Sequence, residues 1–224
     1  MTDYLPAVEI EPATPANASV IWLHGLGADG HDFEPVAKAM HFPPPLAIRW
    51  ILPHAPELPV TVNGGYVMPA WYDILRFGEE RSLNREQLQA SADKVHALID
   101  REIARGIPSH RIILAGFSQG GAVIYHAGLS YPKRLGGLLG LSTYFPTSDT
   151  LAPHMAQVGI PVMICHGTED TVVVMNMGRS ARRALENFGL APQFRSYVMA
   201  HAVCQQEVVD IAGFYQKCLS SQQS

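Results

Sequence analysis

Charge is scarce in this chain. Only 16% of its 224 residues are Asp, Glu, Lys or Arg, the net charge is −4, and no basic run occurs. That excludes a nucleic-acid partner, which needs a cationic stripe against phosphates. Cysteine is scarcer still. Cys165, Cys204 and Cys218 are odd in number and lack paired spacing. They argue against a disulfide framework or a zinc site and fit a reducing compartment. No apolar run is long enough to cross a bilayer. The opening "MTDYLPAVEIEP" has no basic region followed by an apolar one, so no signal peptide is expected. The expectation is a cytoplasmic protein without stable membrane insertion. Phosphate-binding glycine patterns are missing too: "HGLGADG" fits neither G-x-x-x-x-G-K-[ST] nor a clean G-x-G-x-x-G. No cofactor and no metal are expected.

Apolar residues, by contrast, make up 47% of the chain, which suits a single domain over residues 1–224 with a large core. No repeat or long linker divides it. Short apolar runs alternate with helical stretches. "SVIWLH", "AIRWILP", "RIILAGF", "LGGLLGLS", "IPVMICHG" and "QFRSYVM" read as strands. Helices fall at "HDFEPVAKAM", along Leu88, Ala92, Val95, Ile99 and Ile103, after Ser118, at "MGRSARRALENFG", and from Cys204 to about Leu219. A Pro- and Gly-rich irregular stretch covers His54 to Gly78, and the polar end, Ser220 to Ser224, is expected to fray. Strand–helix alternation predicts an α/β fold, a mostly parallel sheet with helices on both faces. Ligands of such sheets bind beyond the carboxyl ends of the strands.

Ser118 sits at one such end, in "GFSQGG". The preceding residues suit a buried strand and the following ones a helix. Gly116 and Gly120 provide the room that a sharp turn between them needs. This G-x-S-x-G pattern is that of a nucleophile elbow, which pushes a serine hydroxyl out over a helix N-terminus. A serine needs a base and an acid that orients the base, and in the α/β-hydrolase order these follow as acid, then histidine. His126, His154, His166 and His201 lie beyond Ser118. His126 falls within the helix after the elbow, whereas His201 ends the strand "FRSYV" and is the natural base. The intervening acids are Asp149, Glu169, Asp170 and Glu186. Asp170 is preferred because it follows the strand "IPVMICHG"; Asp149 is the fallback, and Glu169 is expected to face water. His166 is expected to hold that loop. Val172 to Val174, Val173 included, either wall an acyl pocket or pack on the sheet. The oxyanion of a tetrahedral intermediate needs donors, which the backbone N–H groups of Gln119 and Leu26 can supply, the latter from "HGLGADG" after an earlier strand.

Together "HGLGADGHDF", "PHAP", "MPAWYD", "GFSQGG", "HGTED" and "MAHAV" resemble, in order, the carboxylesterase and acyl-protein thioesterase family, also called phospholipase/carboxylesterase. The resemblance runs from about Ile21 to about Tyr215. It implies a compact α/β-hydrolase fold without a large cap domain and the same assignments: Ser118, Asp170 and His201, with oxyanion donors at Leu26 and Gln119. It implies that the stretch His54 to Gly78 borders an acyl groove. There Met68, Trp71 and Leu75 are candidates to touch the acyl chain, Trp71 alternatively packing the loop down, and Asp73 anchors the loop. It further implies ester or thioester substrates, an acylated protein among them, and a homodimer. One departure is visible. Many members carry glycine before the histidine, whereas this chain has Ala200 there and Ala202 after it; Ala200 would be strained at a positive φ. The competing expectations are lysophospholipid hydrolysis, which a basic amphipathic helix would favour, and a non-catalytic binding module on the same fold.

Overall fold

The computed structural model describes residues 4–78 and 81–220. The end beyond Ser220 lies outside them. In chain order the elements are β1 (Ala7–Ile10), β2 (Ala18–Leu23), α1 (Glu34–Ala39), β3 (Ile48–Pro53), β4 (Glu57–Val60), β5 (Tyr66–Pro69), β6 (Ile74–Arg76) and β7 (Ser82–Leu83). They continue with α2 (Arg85–Ala104), β8 (Ile112–Phe117), α3 (Gln119–Ser130), β9 (Gly137–Leu141), β10 (Val162–Gly167), α4 (Met175–Asn187), β11 (Gln193–Tyr197) and α5 (Gln205–Ser220).

Seven strands form one sheet in the order β1-β3-β2-β8-β9-β10-β11. Only β1 runs antiparallel, paired to β3 at the edge. The remaining pairs are parallel. Alternation along the strands splits the core in two, as the two-residue period of a pleat requires. Ile21, Leu23, Leu114 and Ile164 point to a cluster shared with α2, α3 and α4. Val20, Trp22, Ile113, Ala115 and Cys165 point to the opposite cluster, with residues of α1 and α5. This is the α/β-hydrolase arrangement with both faces covered, so its strands read as near-continuous apolar runs.

The chain steps from β2 to β3 on one side and then resumes with β8 on the other side of β2. The carboxyl ends of β2 and β8 therefore flank a reversal of strand order, where open α/β sheets hold their ligands. Both "HGLG" and Ser118 leave the sheet there. The stretch expected to be irregular carries order instead. β4 and β5 form one two-stranded ribbon, and β6 and β7 another. These ribbons are the excursion between β3 and α2.

Candidate active site

Ser118 has φ 53° and ψ −116°, a conformation that L-residues rarely adopt. Close packing of glycines around it makes this conformation possible to hold. A Cβ on Gly116 would stand 2.5 Å from Gly120 O, and one on Gly120 would stand 2.5 Å from His24 O. Strand β8 and helix α3 thus meet more closely than side chains permit. The Ser118 carbonyl accepts the Thr143 hydroxyl at 2.6 Å, and its N–H donates to Leu141 O at 2.9 Å. The Oγ itself has no hydrogen-bonding partner among the described residues, and it sits at the positive end of α3.

Asp170 and His201 come together after β10 and β11. His201 Nδ1 lies 2.7 Å from Asp170 Oδ2. A carboxylate only accepts, so Nδ1 carries the proton and Nε2 offers its lone pair. The other oxygen, Oδ1, accepts the N–H groups of Val172 at 2.9 Å and Val173 at 2.8 Å. Asp170 is buried, and the His201 ring packs against Phe117 beside the serine with centroids 4.7 Å apart. His166 is wholly buried, and its Nε2–H donates to Val173 O at 2.7 Å, holding the acid's loop as expected. Burial pulls its pKa down, so it stays neutral.

The other candidates are engaged elsewhere. Asp149 makes a two-pronged pair with Arg85. Glu169 faces solvent, Glu186 pairs with Arg182, and His126 is fixed between Thr147 and Gln89. Among the described non-glycine residues, Ser118 and Ser142 alone have positive φ, so Ala200 carries no such strain.

Two backbone segments border Ser118. The loop of Leu26 approaches closely: a Cβ on Gly25 would lie 3.5 Å from Ser118 Cβ. Gln119 is the first residue of α3, where helix N–H groups have no intrahelical acceptor. Neither N–H, of Leu26 or of Gln119, has an acceptor among the described residues.

The acyl-contact candidates divide. Met68 is half-buried against the Gly25–Gly27 loop, with its sulfur 3.7 Å from where a Gly27 Cβ would be. Leu75 is 46% exposed. Trp71 and Val173 need correction. Both are fully buried, Trp71 with its indole N–H on His24 O, so neither presents surface to an acyl chain. Asp73 anchors the loop as expected, accepting both the N–H and the hydroxyl of Thr61. A cavity of about 520 Å³ opens beside the acid's loop, lined by Phe77, Val172, Val174 and Met177 with Arg81. Phe77 and Met177 were not legible as lining residues, because they come from elements far apart in the chain.

A serine at a strained strand–helix turn after β8, with an acid–histidine pair beyond the ends of β10 and β11, defines a serine hydrolase of the α/β-hydrolase fold. Residues 6–219 match the phospholipase/carboxylesterase family. Acyl-protein thioesterase 1 of Schizosaccharomyces pombe is 41% identical over 190 residues, 84% of either chain. Acyl-protein thioesterase 1 of Gibberella zeae is 36% identical over 92% of this chain and 93% of its own. Among solved structures, Arabidopsis thaliana SOBER1 superposes with a TM-score of 0.86 at 32% identity, over 91% of this chain and 100% of that one. Zea mays acyl-protein thioesterase 2 gives 0.86 at 29% identity, over 96% and 100%. The chain belongs to the phospholipase/carboxylesterase family and is a carboxylic ester hydrolase.

Proposed function

We propose that Ser118, Asp170 and His201 hydrolyse short-to-medium acyl esters and thioesters through an acyl-serine intermediate, acylated proteins being among the substrates. The observation that carries this reading is the joint placement of Ser118 at φ 53° with the 2.7 Å His201–Asp170 contact. Ser118 Oγ attacks the carbonyl carbon while His201 Nε2 takes its proton. The carbonyl oxygen becomes an oxyanion held by the N–H groups of Leu26 and Gln119. The tetrahedral species collapses, the C–O or C–S bond breaks, and His201 gives its proton to the departing oxygen or sulfur. Water then repeats the sequence and frees the acid.

The mostly apolar cavity at Val172 and Val174 supports an acyl ligand, and the thioesterase relatives support a thioester. The cytoplasm suits three free thiols, and among the described residues no helix is long and apolar enough to cross a membrane. Homodimer formation belongs to the same reading, and sedimentation velocity measures it directly.

The deciding experiment is intact mass after brief exposure to a fluorophosphonate, followed by a panel of esters and thioesters of graded chain length. One adduct on Ser118, lost in His201→Ala, is the expected result. A folded wild-type chain that takes no adduct would favour a binding module on this fold.

A further inference from the structure

Trp71 is one of the largest fully buried side chains. Its two N–H groups tie it to both segments that border Ser118, the start of α3 and the His24–Gly27 loop. The backbone N–H donates to Gln119 Oε1 at 2.8 Å, and Gln119 Nε2 returns a bond to Tyr72 O at 2.7 Å. Gln119 is itself one oxyanion donor through its own backbone. On the other side, Trp71 Nε1–H donates to His24 O at 2.9 Å, and the indole packs against the His24 ring at 5.2 Å.

His24 passes the constraint on. Ala55 N–H donates to His24 Nε2 at 3.1 Å, so that nitrogen is bare and the proton is on Nδ1. Nδ1–H then donates to Gly25 O at 2.7 Å. Burial lowers the pKa of His24 and keeps the ring in this neutral form. The Gly25–Leu26 peptide is trans, since the one cis bond is Pro44–Pro45. In a trans unit the C=O and N–H point opposite ways. Fixing Gly25 O on His24 therefore turns the Leu26 N–H to the other side. The neighbouring Gly27 N–H is tied to Pro69 O at 2.8 Å, which adds a second hold from the same loop.

We infer that Trp71 and His24 are positioning residues: the hydrogen-bonded chain Gln119–Trp71–His24–Gly25 sets the direction and spacing of the two oxyanion donors. The inference rests on Leu26 and Gln119 being those donors. Such donors accelerate a reaction only if they are aligned before charge develops, so a donor that swings loses most of its worth. A residue that never touches substrate can thus govern the transition state.

Trp71→Phe keeps an aromatic ring and removes the indole N–H. We expect kcat to fall about 10- to 50-fold, somewhat less than deletion of a whole donor, with KM within about twofold. Affinity for a trifluoromethyl ketone, whose serine adduct carries the same oxyanion, falls by the same factor as kcat. His24→Asn, which keeps a donor near the position of Nδ1, retains most of kcat, whereas His24→Leu loses as much as Trp71→Phe. Leu26→Pro deletes the donor itself and separates the two ideas, with thermal melting confirming that each variant is folded. A folded Leu26→Pro with full kcat overturns the oxyanion reading. A Leu26→Pro that loses kcat beside a Trp71→Phe that lowers only the melting temperature overturns the brace. If Trp71→Phe does not fold, the His24 pair decides, and equal kcat in Asn and Leu overturns the brace.

Discussion

Asp170 holds His201 by one oxygen and its own loop by the other. Oδ2 meets His201 Nδ1 at 2.7 Å, while Oδ1 accepts two successive N–H groups, from Val172 and Val173. The carboxylate therefore cannot rotate without breaking bonds on both sides. It presents only an acceptor to the imidazole and so selects the tautomer in which Nε2 is basic. Asp170→Asn can turn its NH₂ toward Nδ1 and select the opposite tautomer. We expect kcat to drop by about 10⁴ with little change in fold. Steady-state kinetics beside a melting curve checks it; a loss under tenfold would assign the orienting role elsewhere.

In the proposed mechanism the serine and the histidine act in one proton transfer, so their losses should not multiply. Ser118→Ala and His201→Ala each lose about 10⁴- to 10⁶-fold in kcat, and the double variant loses little more than the worse single one. Residual turnover stays above the uncatalysed rate because the proposed donors, Leu26 and Gln119, remain. Burst-free assays on all three variants, purified free of host esterases, test this. Multiplicative losses would mean that the two residues serve separate steps.

Much of the site was legible because its parts are local. Ser118 sits between glycines at a strand end, and a chain-order rule then admits few histidines and acids. Asp170 was separable from Asp149 because it follows an apolar strand directly. What stayed hidden depends on contacts between distant segments. The sequence around Trp71 shows an aromatic in a loop, which fits a pocket wall as well as a brace. Its partners, His24 and Gln119, lie 47 and 48 residues away. Strand β1 and the ribbons β4–β5 and β6–β7 were missed for a related reason. They are pieces of only two to four residues, whose pairing, not periodicity, makes them strands.

Gly116 should tolerate no side chain. A Cβ there would meet Gly120 O at 2.5 Å and Gly121 N at 2.6 Å, both backbone atoms of α3 that no rotamer change can move. Gly116→Ala must push the helix off the strand and open the Ser118 turn. We expect a loss of about 3–5 kcal/mol in stability, with activity falling even where the protein stays folded. Denaturant titration measures the first and fluorophosphonate labelling rate the second. Wild-type values for both would mean that the turn is looser than its packing implies.

Glu207 makes stability depend on pH in the alkaline direction. It lies wholly buried in the first turn of α5, with Oε1 unpartnered and Oε2 only 3.4 Å from Cys204 N. Burial is the main cause that pushes its pKa up to about 8; Asp210 on the same helix adds to this, and the Cys204 N–H opposes it. Tyr197 OH is committed to Asp210, and Cys165 on β10 is buried and protonated. In the unfolded chain the carboxyl ionises near 4.5. Between that value and 8 the folded state binds the extra proton. The contribution is therefore fully present below 4.5 and is lost as pH rises through 8. Glu207→Gln stays neutral throughout and keeps an oxygen for Cys204. We expect melting temperatures that differ little at pH 5, where only the unfolded chain has begun to ionise, and at pH 9 a variant more stable by about 2–5 kcal/mol, or about 4–20 °C. Parallel melting curves from pH 5 to 9 read the difference; identical alkaline slopes would mean that Glu207 reaches water on ionising and that α5 yields there without cost.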